Sequence, residues 1–286
     1  MFRAMSSPVI VWFRQDLRLA DNPALHAAAS TGAPVFPVFI LDDDAAGDWK
    51  PGSASRWWLR KSLASLNESL HDSLRILYGE AREIIPQLVR DTGAHGVYWN
   101  RCVEPWRVER DEDIKSTLLA DDVEVHSFNG CYVYDPAEIS KKDGTPYRVF
   151  TPFYRNGCLK DGPEPRMPLP APADIRLDTR LDPAHRQSDV ALTAYSWFDG
   201  GTRDWEPGEA GARNTLERFL ERGLDDYADG RDRPDRENVS YLSPSLHFGE
   251  ISPHQARAAV LQRQGSAPDD SPAGSRLTIS RLVGCL

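Results

Sequence analysis

The residue types best suited to ligand binding lie in the run VSYLSPSLHFGEISP, from Val239 to Pro253, which combines serine hydroxyls, a histidine and a glycine. The pattern changes there from that of a loop to that of a helix. Hydroxyl groups and backbone N–H groups at such a transition hold phosphate groups in many proteins. The run therefore predicts part of a site for a phosphate-bearing cofactor. A structural interpretation stays open, in which Ser243 caps a helix whose first turn contains Pro244.

Charged residues of alternating sign follow the first apolar run of the chain. They are Arg14, Asp16, Arg18 and Asp21, after the run PVIVWF. One interpretation is a network of ion pairs that fixes this loop; the other is a binding site for a polar or anionic ligand. Composition does not choose between the two. The sequence has neither the GxGxxG pattern of dinucleotide-binding folds nor the GxxxxGKS/T pattern of a P-loop.

Composition limits the class of protein. The 286 residues are 40% hydrophobic and 27% charged, which is typical of a globular protein. A formal net charge of -9 argues against general nucleic-acid binding but not against a local basic groove. The four cysteines are scattered, so no zinc site is predicted, and the eight tryptophans either pack in the core or stack on a ligand. No apolar stretch is long enough to cross a membrane and no signal-peptide core is present, so we expect a cytoplasmic location.

The elements that position these residues alternate between strands and helices. Five strands are predicted, at Pro8–Phe13, Pro34–Leu41, Leu74–Tyr78, Gly96–Trp99 and Val123–Phe128, separated by helices at Asn22–Ser30, Ser53–Leu70, Ile84–Asp91 and Pro105–Leu119. This order predicts an α/β fold with a parallel, five-stranded, Rossmann-like sheet covered on both faces. Ligands of such sheets bind beyond the carboxyl ends of the strands.

The second half of the chain has a different pattern. We predict an α/β domain over 8–134, a proline-rich connector over 135–204, and the start of an all-α domain over 205–265. Helices are expected at Gly211–Leu224 and within Leu246–Gln264. Residues 266–286 are interpreted as an aberrant or flexible tail.

Five segments are similar to signature segments of the DNA photolyase/cryptochrome family. They are WFRQDLRLADNPAL at Trp12–Leu25, YWNRCVEPWRVERD at Tyr98–Asp111, GTPYRVFTPFY at Gly144–Tyr154, WEPGEAGA at Trp205–Ala212, and the run Leu242–Pro253. Their order and spacing are those of the family, and the resemblance covers residues 8–262.

The resemblance implies a function. The α/β domain would carry an antenna chromophore and the helical domain would hold FAD. The protein would be a deoxyribodipyrimidine photolyase, a monomeric lyase that uses light to repair cyclobutane pyrimidine dimers in damaged DNA. Two alternatives stay open: a cryptochrome-type blue-light sensor, and a nucleotide-binding α/β module without photochemistry.

The resemblance also implies a set of cofactor-binding residues, which are Tyr227, Val239, Ser240, Tyr241, Leu242 and Ser243. Ser240 and Ser243 keep the hydroxyls of the family's phosphate-binding run. Val239 stands where threonine is usual, and Tyr241 stands where arginine is common, so one hydroxyl and one positive charge are missing. His247 is interpreted as a packed or capping residue, because no carboxylate partner for a base is identifiable.

The identity of the antenna chromophore stays open. Folate-using relatives have Asn-Glu where this chain has Trp106 and Arg107, which weakens the prediction of folate and leaves a deazaflavin, another flavin or none. Asn100 and Glu104 follow a strand and either contribute to this site or cap the next helix.

The family's helical domain normally continues well beyond the position of Ser266, so the chain is interpreted as truncated at its C-terminus. No catalytic residue is assigned, because the expected ones lie beyond the last residue, and the activity of this chain alone stays open. We expect the α/β domain to be stable by itself and limited proteolysis to leave a fragment ending near residue 140.

Overall fold

Five parallel strands form the centre of the computed structural model, which describes residues 7–42, 46–136, 138–178 and 205–265. The strands are β1 (Val9–Phe13), β2 (Val35–Leu41), β3 (Arg75–Tyr78), β4 (Gly96–Asn100) and β5 (Glu124–Phe128). They lie in the order β3-β2-β1-β4-β5, so β1 is central. All five residues of β1 and all seven of β2 are buried, as expected of strands covered on both faces. The predicted five-stranded α/β fold is confirmed.

Helices cover both faces of the sheet. They are α1 (Pro23–Ser30), α2 (Ser53–Ser69), α3 (Ala81–Thr92) and α4 (Pro105–Ala120). Alternate residues of β1 point to opposite faces: Val9 and Val11 pack in the cluster that contains α1 and α2, whereas Ile10 and Trp12 pack in the cluster that contains α3 and α4.

The connector after β5 begins with irregular structure and runs back along the sheet domain. It contains the short helix α5 (Phe150–Pro152) and a π-helical segment, Phe153–Cys158. Farther on, Val35 N donates to Arg176 O (2.7 Å) and Asp178 N donates to Val35 O (2.8 Å), so the connector contacts the start of β2. Its predicted continuation over 179–204 and the predicted tail over 266–286 lie outside the described residues.

Four further helices follow in the range 205–265. They are α6 (Glu209–Arg222), α7 (Tyr227–Gly230), α8 (Ser243–His247) and α9 (Pro253–Gly265). Ala212, Leu216 and Ala256 are buried together with Leu242 and Ile251, so these helices share a small core. Among the described residues, no helix combines the length and apolar composition needed to cross a bilayer.

Candidate functional site

A cleft of about 540 Å³ opens between α2, α6 and the segment that leads into α8. Its volume lies within the range of small-molecule sites. The lining residues are Trp58, Trp205, Glu206, Thr215, Arg218, Phe219, Arg222, Asp226, Glu237, Asn238, Val239, Ser240, Tyr241 and Ser245. Hydroxyl, amide, guanidinium, carboxylate and aromatic groups therefore face one space, which suits a ligand with both polar and ring-shaped parts.

Three of the six residues predicted to bind a cofactor line this cleft: Val239, Ser240 and Tyr241. Tyr241 has φ 54°, in the left-handed region that side chains other than glycine rarely adopt. The Ser240 hydroxyl accepts a hydrogen bond from Leu242 N (3.4 Å) across the same turn. The segment thus turns sharply before α8, with its polar side on the cleft.

The other three predicted residues lie elsewhere. The side chain of Leu242 is fully buried in the core of the helices. Tyr227 is buried edge-on against Phe219, with ring centroids 5.5 Å apart. Ser243 is exposed and is the first residue of α8. Because Leu242 occupies the cap position, the interpretation of Ser243 as the helix cap is wrong, although Pro244 does lie in the first turn.

Two arginines that the sequence analysis did not select supply positive charge to the cleft. Arg218 and Arg222 lie four residues apart on α6, so they project from the same face of the helix. Arg218 also donates to the hydroxyl of Thr215 (3.4 Å). In the sequence they are two basic residues at helical spacing next to Phe219, which is buried. The sequence alone does not show which segment this face of the helix lies against.

Aromatic rings form another wall of the cleft. Trp58 lies edge-on to Trp205, with centroids 5.4 Å apart. It also stacks on Phe248, with centroids 6.3 Å apart and an interplanar angle of 7°. Trp58 Nε1 donates to Oε1 of the buried Glu250 (2.8 Å), which fixes the orientation of the indole.

A smaller cleft of about 120 Å³ lies at the carboxyl ends of the strands. It is lined by Trp12, Arg14, Gln15, Phe39, Ile40, Leu41, Asp42, Ala46, Trp49, Pro51, Leu59, Trp106, Arg107, Arg110, His247 and Phe248. The guanidinium of Arg110 lies 4.7 Å from the ring centroid of Trp12, and that of Arg107 lies 4.9 Å from that of Trp106. His247 lies edge-on to Phe248 (4.7 Å), in agreement with the interpretation of it as a packed residue.

The alternating charges after β1 have structural partners from distant parts of the chain. Arg14 pairs with Asp111, and Asp21 pairs with Arg166. Among the contacts of the described residues, Arg18 donates to three backbone carbonyl groups, those of Asp21, Gly130 and Gly249. The loop is thus fixed by ion pairs and buried polar contacts with distant parts of the chain, in agreement with the interpretation of an ion-pair network.

Asn100 and Glu104 have structural roles: the first forms buried hydrogen bonds, and the second lies at the start of α4. The Asn100 side chain donates to Asp16 Oδ2 (2.6 Å) and Asn22 Oδ1 (2.8 Å) and accepts from Ala24 N (3.3 Å). Glu104 holds the cap position of α4 without a side-chain capping bond. Asn22 caps α1 and accepts from Leu25 N (3.1 Å).

Comparison with known proteins gives consistent matches. The profile of the DNA photolyase family matches residues 9–173. A deoxyribodipyrimidine photo-lyase of Agrobacterium fabrum is 40% identical over 253 residues, covering 87% of this chain and 52% of that protein. Cryptochrome-2 of Arabidopsis thaliana is 36% identical over 260 residues, covering 87% of this chain and 42% of that protein.

A solved structure extends the match to three dimensions. A bacterial class III photolyase from Agrobacterium tumefaciens has a TM-score of 0.85 at 36% identity, covering 98% of this chain and 58% of that one. The chain therefore spans about half the length of the relatives that it matches.

Proposed function

The chain belongs to the DNA photolyase family, and on that premise we propose that its larger cleft binds the phosphate-bearing part of FAD in a light-driven DNA repair protein. The supporting observation is the meeting of hydroxyl and guanidinium groups in one cleft. Ser240 and Ser245 supply hydroxyls, and Arg218 and Arg222 supply positive charge. Guanidinium groups form charge-assisted, often bidentate hydrogen bonds with phosphate oxygens.

The residues present fit a flavin dinucleotide in spite of two departures from the family pattern. Val239 lacks the usual hydroxyl and Tyr241 lacks the usual positive charge. The hydroxyl of Ser245 and the two arginines of α6 line the same cleft and replace these groups. Trp58 and Trp205 offer aromatic surface for a planar ring. Leu242 and Tyr227 do not line the cleft; they are buried behind it and pack between the helices.

In this proposal the chain's residues bind and orient the cofactor. Reduced FAD would absorb the light and donate the electron that splits a cyclobutane pyrimidine dimer flipped out of the base stack, and the electron would then return to the flavin. Damaged DNA is the proposed partner, and we propose a monomer in the cytoplasm.

A blue-light sensor is the second candidate function, since Cryptochrome-2 of Arabidopsis thaliana is 36% identical to the chain. A cryptochrome would use the same cleft for the flavin but would not repair DNA.

An antenna chromophore is proposed for the cleft at the carboxyl ends of the strands. Trp106 and Arg107 stack there in the positions where folate-using relatives have Asn-Glu, which favours a deazaflavin or another flavin over folate. The volume of about 120 Å³ is below that of usual ligand sites, so binding would require side chains to move.

Flavin uptake and dimer repair test the proposal. The purified chain is incubated with FAD, freed of unbound flavin, and examined for visible absorbance, which we expect it to retain. After the bound flavin has been reduced with dithionite in the absence of oxygen, blue light should remove the dimer from a DNA oligonucleotide that contains one. Bound flavin without repair would favour the cryptochrome alternative, and a colourless protein would favour the nucleotide-binding module.

Charge reversal tests the role of the two cleft arginines. We expect Arg218→Glu and Arg222→Glu each to weaken FAD binding at least about tenfold, because hydrogen bonds to charged groups contribute about 1.5–3 kcal/mol. Arg213→Glu is the matched control, since Arg213 lies on the same helix but does not line the cleft. Equal losses in all three variants would mean that only the net charge matters.

A further inference from the structure

Glu250 is a completely buried acidic residue between α8 and α9. One of its oxygens, Oε1, accepts two hydrogen bonds, from Trp58 Nε1 (2.8 Å) and from Gly208 N (2.6 Å). The other, Oε2, is buried without a hydrogen bond of normal geometry, as is the hydroxyl oxygen of Ser62. The donors come from residues 42 and 192 positions away, so this carboxyl joins distant parts of the chain.

The parts of the chain that meet at Glu250 are the walls of the larger cleft. Trp58 of α2 forms the aromatic wall. Gly208 directly precedes α6, the helix that carries the two cleft arginines. Ser245, in the helix before Glu250, lines the cleft itself. One carboxyl therefore sets the relative positions of three walls.

The close packing at Gly208 shows how little freedom this junction has. Its φ is 112°, and an added Cβ would lie 2.4 Å from the hydroxyl oxygen of Ser65. The start of α6 is thus pressed against α2 at the point where the Gly208 N–H meets the carboxyl. A shift of Glu250 would move the aromatic wall and the cationic wall with respect to each other.

The surroundings of Glu250 make ionisation of its carboxyl group less favourable than it is in water. Burial is the main influence on its pKa and raises it. The hydrogen bonds from Gly208 N and Trp58 Nε1 act against this rise, and so do the nearby hydroxyls of Ser245 and Ser62; none of these groups is charged. An ionised carboxylate without a cationic partner is costly in such a place, whereas a neutral acid still accepts both hydrogen bonds through Oε1.

We propose that Glu250 is a positioning residue for flavin binding. It acts as a neutral carboxylic acid and holds the three walls of the cleft in fixed positions relative to one another. This inference rests on the proposed function of the cleft.

Infrared spectroscopy tests the protonation state without any flavin. The spectrum of the full chain at neutral pH, minus that of Glu250→Gln, should contain the carbonyl stretching band of a protonated carboxylic acid. The matched control is Glu217→Gln on the exposed face of α6, whose difference spectrum should contain only carboxylate bands. Only carboxylate bands in the Glu250→Gln difference would overturn the proposal.

FAD titration tests the positioning role. Glu250→Gln keeps a neutral side chain with an acceptor oxygen, so we expect its affinity for FAD to stay within about threefold of the wild type. Glu250→Ala leaves two buried donors without an acceptor and should weaken binding about tenfold to a hundredfold. A tenfold loss in a folded Glu250→Gln, or full affinity in Glu250→Ala, would overturn the proposal. If Glu250→Ala does not fold, the glutamine variant and the infrared spectrum still decide.

The two proposals fail in different ways. If the wild type binds no FAD, the proposed function fails, while the infrared result still reports on Glu250. If the wild type binds FAD and the glutamine variant does not, the proposed function stands and the inference about Glu250 is wrong.

Discussion

His254, in the first turn of α9, is a buried ionisable residue close to Asp21 and Arg166. Burial is the largest influence on its pKa, the nearby Arg166 lowers it further, and Asp21 partly offsets both, so the pKa falls to about 4. Its ring atom Nδ1 is buried without a hydrogen bond of normal geometry. The folded protein therefore holds this imidazole in its neutral form at neutral pH.

This neutral histidine predicts a loss of stability in acid. The pKa of His254 is about 4 when folded and 6.5 for the ordinary side chain, so only the unfolded chain gains a proton between these values. The free energy of unfolding should fall as the pH drops from about 6.5 to about 4, by on the order of 3 kcal/mol for this residue. Urea unfolding at a series of pH values measures the effect.

The variant His254→Gln isolates this contribution, because glutamine does not titrate. We expect its stability to fall less than that of the wild type over the same pH range. His95→Gln, at an exposed position, should keep the full acid dependence of the wild type. If His254→Gln and the wild type lose stability in parallel, His254 is protonated in the folded state and the argument fails.

At the scale of secondary-structure elements, the turn between α8 and α9 packs directly against the loop after β1. Gly249 in this turn has φ 68°, and a Cβ added to it would lie 2.0 Å from the carbonyl oxygen of Gln15. Its own carbonyl accepts from Arg18 Nη1 (2.9 Å). The site proposed for FAD and the sheet domain are thus in contact through backbone that leaves no room for a side chain.

Two glycine substitutions separate the effect on stability of the close contact with Gln15 from that of the positive φ angle. Gly249→Ala should destabilise the protein by several kcal/mol, because both a strained φ and a steric clash oppose it. Gly32→Ala is the matched control: Gly32 has φ 70° but no neighbouring atom within 4 Å of an added Cβ, so only about 1 kcal/mol is expected. Thermal unfolding gives both values, and similar losses would show that the contact with Gln15 is unimportant.

The same elements show which features were predictable from sequence. Apolar runs located the fully buried strands β1 and β2 closely, since buried parallel strands have a strong signal. The partly exposed β5 has a mixed sequence, and its place in the alternation of strands and helices indicated it. The π-helical segment had no periodic signal and was not predicted, whereas α8 was indicated only by the serine and proline at its start. Ser240 was predicted through a short motif, whereas Arg218 belongs to the cleft only because α6 lies against the segment before α8.

At the scale of the whole molecule, helices of the range 205–265 are joined to the sheet domain by buried polar contacts. Leu17 N donates to Phe248 O (3.2 Å), and Leu19 N donates to the carboxylate of Glu209 (2.8 Å). Arg18, almost fully buried, donates to Gly130 O (2.6 Å) and Gly249 O (2.9 Å). Partners more than 100 residues apart in sequence could not be predicted, which is why the sheet domain was expected to be stable alone.

These contacts predict that the sheet domain and the helices of 205–265 unfold together. The sequence predicted instead that the sheet domain is stable alone and that proteolysis leaves a fragment ending near residue 140. In hydrogen exchange read by mass spectrometry, amides of α6 and α9 should be protected as strongly as those of β1 and β4.

Arg18→Ala removes a buried cation that bonds to both parts, so α6 and α9 should lose protection first, by several kcal/mol. Arg82→Ala, at an exposed ion pair, should change protection by less than about 1 kcal/mol. Weak protection of α6 and α9 already in the wild type would restore the view that the sheet domain is independent.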